Sequence, residues 1–79
     1  MKHSELIAET RNKIGEDLFS KAKAVRKGSS SGVNYINVVF ETESERNEAA
    51  KSFSAGSNHI FCEKRYGFGI IVNQYRINK

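Results

Sequence analysis

Residues 33–41, Val-Asn-Tyr-Ile-Asn-Val-Val-Phe-Glu, alternate apolar and polar and run straight into Thr42-x-x-Glu45. The alternation is that of a half-buried strand, with Ile36, Val38 and Phe40 on one face and Tyr35, Asn37 and Val39 on the other. Thr42 and Glu45 have the spacing of a capping box, in which a hydroxyl and a carboxylate satisfy the free N–H groups of a new helix. A strand that turns at once into a helix needs a sheet with a helix lying on it. That excludes an all-helical bundle and an all-strand sandwich.

The remaining elements follow from this junction. The helix is expected over residues 43–55, with Ala49, Ala50 and Phe53 buried and Gly56 stopping it. Residues 58–64 read as a second strand and 68–75 as a third, joined by Arg65-Tyr66-Gly67 as an antiparallel hairpin. Upstream, Ile7, Ile14, Leu18, Ala22 and Val25 fall on one stripe at helical spacing. With Ser4 as N-cap and Gly28 as C′ residue, they predict one long helix over 4–27, bent or closely packed at Gly15. Arg11 projects into that stripe, where its stem is expected to lie along the apolar surface. Gly28-Ser29-Ser30-Ser31-Gly32 reads as a flexible hinge, letting the helix fold back or swap onto a second copy.

The fold class expected is α+β, in the order α-β-α-β-β. Three antiparallel strands in the order 1-3-2 form a split βαβ, ferredoxin-like core with two helices on one face. Residues 1–79 are read as one domain, since a chain of 79 residues buries only about 60% of its unfolded surface.

Composition removes several function classes. Hydrophobic residues are 38% and charged ones 28%, and no run approaches the roughly 18 apolar residues of a membrane-spanning helix. One cysteine, Cys62, excludes an internal disulfide framework and a Cys-rich zinc site. The first residues lack the apolar stretch of a signal peptide, so a cytoplasmic setting is expected. His59 and Cys62 are three apart in a strand and point to opposite faces, against a nucleophile–base pair. The acids Glu41, Glu43, Glu45 and Glu48 sit where a helix N-terminus attracts them, and read as structural. No catalytic or metal-ligating residue and no cofactor is expected, and the chain reads as a binding protein, not an enzyme.

Net charge is +4, and it is unevenly placed. Residues 1–28 and 58–79 each carry +3, whereas 29–57 carry −2. Lys21, Lys23, Arg26 and Lys27 form the densest basic run, with no acid between Leu18 and Gly28. Such a run attracts phosphates, and also offsets the negative end of a helix dipole.

The segment Lys64-Arg65-Tyr66-Gly67-Phe68-Gly69-Ile70-Ile71-Val72 resembles the aromatic strand of RNA recognition motifs, with Gly67, Phe68, Gly69 and Ile71 matching. Tyr66, Ile70 and Asn73 depart from that pattern, and the resemblance covers one strand. It implies that Phe68 stacks on a base on an open sheet face. The alternation assigns Phe68 differently. With Ile70 and Val72 it completes the buried set of Ile36, Val38, Phe40, Ile60 and Cys62, at roughly 1.5–3 kcal/mol for each large side chain placed inside. The open face then carries Tyr35, Asn37, His59, Phe61, Glu63, Ile71, Asn73 and Tyr75, near Lys64, Arg65 and Arg76.

Two functions fit these features. In the first, Lys21, Lys23, Arg26, Lys27, Lys64, Arg65 and Arg76 hold the phosphates of RNA or DNA while Tyr35, Phe61 and Tyr75 stack on bases. In the second, the same face or the edge of the second strand docks a host protein, as a small phage-type inhibitor or antagonist does. A homodimer is compatible with either.

Overall fold

A computed structural model describes residues 1–53, the backbone of 60–63, and 67–77. Its elements are α1 (His3–Ile14), α2 (Glu16–Ser20), β1 (Ala24–Ser30), β2 (Val33–Phe40), α3 (Glu43–Lys51), β3 (Ile60–Glu63), β4 (Gly67–Asn73) and α4 (Gln74–Ile77). The class is α+β. The strands form one antiparallel sheet in the order β1-β2-β4-β3.

The expected helix over 4–27 is corrected. It begins two residues after Met1 rather than at a Ser4 cap, with the Lys2 N–H donating to Glu5 Oε1 at 3.0 Å. It stops at Gly15, whose φ of +91° lies outside the helical region and suits only glycine without strain. Arg11 holds the break together: its guanidinium sits 4.9 Å from the Phe19 ring and 3.9 Å from Glu16 across the gap. α2 adds a short turn, and the chain then becomes a strand. Residues 24–30 pair with β2 along their whole length, from Ala24↔Val39 to Ser30↔Val33. Gly28 and the serines that follow are poor helix formers, and a complete ladder against β2 outweighs any helical preference they retain.

The expected hinge at 28–32 is corrected for the same reason. Gly28, Ser29 and Ser30 belong to β1, and only Ser31 and Gly32 turn the chain. Both have positive φ, 51° and 79°, as the tight two-residue hairpin turn of type I′ requires. The expected sheet of three strands therefore gives way to four, in which the strands read as first, third and second from the sequence lie side by side as β2-β4-β3. The added strand lies outside β2 and forms the sheet edge on that side. His3 reaches across to this strand, its Nε2 lying 2.8 Å from the Gly28 carbonyl oxygen.

The strand–helix junction forms as its residues dictate. Thr42 is extended, its Oγ1 accepts from the Glu45 N–H at 3.2 Å, and its hydroxyl donates to Glu45 Oε1 at 3.1 Å. α3 closes at Lys51, short of residue 55, with Ser52 and Phe53 N–H groups bonded to Ala49 and Ala50 carbonyls.

One face of the sheet is covered by the helices. Leu6 of α1, Ala49 of α3, Phe53 after it and Ile77 of α4 pack on Ile36, Val38, Phe40, Ile70 and Val72. Phe68 pairs with Phe40 and shares this covered face, half-buried beneath the Arg46 guanidinium at 5.6 Å. Gly67 has φ +110°, and a side chain there would collide with the Phe40 carbonyl. Among the described residues no helix is long and apolar enough to cross a membrane.

Candidate functional site

The other face of the sheet is open. Antiparallel partners share a face, so Gly28↔Tyr35↔Asn73 form one row across three strands, and Arg26↔Asn37↔Ile71 the next. Above these rows lies an open cleft of about 500 Å³, lined by Ser30, Val33, Tyr35, Asn37, Ile71, Asn73 and Tyr75.

Two tyrosines border the cleft for different reasons. Tyr35 lies flat across Gly28, its ring occupying the space a side chain at 28 would need. A cross-strand glycine thus gives the ring a seat against the backbone. Tyr75 is not on a strand, which corrects the expected strand over 68–75. β4 ends at Asn73, whose Oδ1 accepts from the Tyr75 N–H at 3.0 Å and the Arg76 N–H at 3.2 Å. That cap starts α4 and leaves the Tyr75 side chain at the cleft, with the residue 63% exposed. Asn37 contributes an unusual group. Its Oδ1 is shielded from bulk solvent and has no hydrogen-bond partner, an arrangement that costs free energy until a donor arrives.

The cations fall apart as a group. Lys21 ends α2, and Lys23 pairs with Glu41 at 3.7 Å. Arg26 is exposed and lies on the open face beside Asn37, whereas Lys27 pairs with Ile36 and takes the other face. The single basic helix end expected of Lys21, Lys23, Arg26 and Lys27 does not exist, because two of them sit on a strand and alternate. Arg76 is also corrected. It faces the helix-covered interior and is 6% exposed, since the turn at Asn73 rotates it away from Tyr75. Phe61 lies on β3 with its backbone in register with Gly69, but its side chain is outside the described residues, as are His59, Lys64 and Arg65.

Among the described residues the lining offers two phenol rings, an aliphatic floor at Ile71 and amide groups at Asn37 and Asn73, with no carboxylate or imidazole. Such a surface stacks on planar groups and exchanges hydrogen bonds with them. Among the described residues no group of three His, Cys, Asp or Glu side chains is placed to hold a metal ion. The alternation of Tyr35 with Asn37 and of Ile71 with Asn73 puts both asparagines on the open face, but it assigns neither of them a contact.

No family model, no curated protein and no solved structure matches this chain.

Proposed function

We propose that the chain is a small non-enzymatic nucleic-acid-binding protein that holds unpaired bases of RNA or DNA on its open sheet face. The observation that carries this reading is the uncharged cleft bordered by Tyr35 and Tyr75, with the unpartnered Asn37 Oδ1 between the strands. Base–aromatic stacking contributes about 1–3 kcal/mol per base and tolerates any sequence. A base that turns an amino or imino N–H toward Asn37 supplies the donor this oxygen lacks, which adenine, cytosine, guanine, uracil and thymine can all do. Arg26, on the same face, is positioned to meet the backbone phosphates, and exposed Lys21 and Lys27 add to the field. A cytoplasmic setting and the absence of catalysis belong to the same reading.

Fluorescence anisotropy with labelled single- and double-stranded oligonucleotides at low and moderate salt tests it. Single strands should bind more tightly than duplexes, with little preference among homopolymers. Absence of binding at low salt, or binding that Tyr35→Ala and Tyr75→Ala together leave unchanged, removes the proposal. Capture of a host protein that needs the same two tyrosines would reassign the face to protein recognition.

A further inference from the structure

Arg46 and Arg76 are equally buried, at 6% exposure each, but they are not equally satisfied. Arg46 donates from Nε to Asn47 Oδ1 at 2.8 Å and pairs with Glu43 at 3.5 Å. The Nε and Nη2 atoms of Arg76 are shielded from solvent and have no hydrogen-bond partner. Burial lowers the pKa of Arg76, yet guanidinium keeps its proton under ordinary conditions. The two unpaired nitrogens form one edge of the guanidinium plane. Their N–H bonds run side by side, at the spacing of two oxygens on one phosphate or carboxylate.

The surroundings add to this edge. The Arg76 Cζ lies 5.7 Å from the Phe53 ring centroid, and Lys13 Nζ lies 6.0 Å from the same centroid. Thr10, one helical turn before Lys13 on α1, is fully buried, and its hydroxyl also lacks a partner. α1 packs against α4, and Lys13 of α1 and Arg76 of α4 both reach the Phe53 ring. Three carboxylates of the described residues are engaged elsewhere: Glu16 with Arg11, Glu41 with Lys23 and Glu43 with Arg46.

We propose that the α1–α4 junction is an oxyanion site that takes a phosphate group, held in two-point fashion by the Nε–Nη2 edge of Arg76. Lys13 supplies the second positive charge and the Thr10 hydroxyl a further donor. A phosphate dianion matches two cations, whereas a carboxylate would leave one uncompensated. Because the Arg76 edge is closed to solvent, the anion enters as α4 moves outward, with Asn73 as the pivot. The site lies on the helix-covered side of the sheet and stands independently of the open-face reading.

The test follows the Arg76 Nε–Hε resonance by NMR during titration with inorganic phosphate, a nucleoside 5′-monophosphate and acetate, all at matched ionic strength. A saturable shift with inorganic phosphate and none with acetate is expected. A shift with the monophosphate alone would locate the source in a phosphate ester. Arg76→Met should melt higher than the parent without phosphate, since it removes an unpaired buried charge, and should lose the phosphate-dependent rise in Tm. Lys13→Gln, at an exposed residue that leaves folding intact, should weaken phosphate binding about tenfold. A resonance that stays fixed with both phosphates, an equal response to acetate, or an Arg76→Met protein that phosphate still stabilises would overturn the assignment. None of these results depends on Tyr35 or Tyr75, so failure here leaves nucleic-acid binding to be judged separately.

Discussion

The Tyr35 ring rests on Gly28, directly across the β1–β2 ladder, and fills the volume that a side chain at 28 would occupy. What a larger residue at 28 would strike is the far end of a movable side chain, not backbone. Gly28→Ala should therefore cost no more than about 1 kcal/mol of stability. It should lift the ring out of its seat and lower single-strand affinity several-fold. Chemical denaturation together with anisotropy checks both halves, and unchanged affinity would mean that the seated ring is not what a base meets.

Gly67 makes the opposite prediction. Its positive φ and the Phe40 carbonyl beside it leave no room for a methyl group, and a carbonyl in a paired strand cannot swing aside. Gly67→Ala should destabilise by about 2–4 kcal/mol, read as a fall in the denaturation midpoint at constant slope. The matching of this glycine to a family pattern is thus explained by sheet geometry, whatever the protein binds.

Thr42 isolates the junction that organises the chain. Thr42→Ala removes the acceptor for the Glu45 N–H and should cost about 1 kcal/mol, whereas Thr42→Ser should recover most of it. Thermal melts of the two variants decide the matter.

Tyr75 projects from the surface and supports no core contact of its own, so Tyr75→Ala should leave stability within about 0.5 kcal/mol. Single-strand binding should weaken by about 1–3 kcal/mol. Salt dependence should be shallow, because Lys27 takes the other face and Lys23 pairs with Glu41, which leaves about one or two phosphates to be met beside Arg26. A slope of log K against log salt of roughly −0.7 per phosphate gives a total near −0.7 to −1.4. A much steeper slope would locate the contact surface elsewhere.

The parts of the fold readable from sequence were those where pattern and capping agree. The alternation around Ile36, Val38 and Phe40 has no competing period, and Thr42 fixes the helix start to the residue. The helical stripe reads correctly through α1 and α2 but overruns into residues 24–27, because Val25 fits a helical stripe as well as a strand and only the partner β2 decides between them. Ser31-Gly32 carried the hairpin signal, but among flanking serines it resembled slack chain. In the site, Tyr35 was readable from its strand, whereas Tyr75 and Arg76 depended on a turn that Asn73 imposes through a side-chain cap. Local periodicity cannot register such a cap, so Arg76 was expected beside the tyrosines it turns away from.

That cap parts two neighbours in the chain. Tyr75 and Arg76 follow one another on a turn of four residues, the first reaching outward and the second wedged among Phe53 and its neighbours. One asparagine side chain thereby sorts two consecutive residues, a ring to the outside and a cation to the inside. The cap at Asn73 is where the surface of this small protein and its interior are divided.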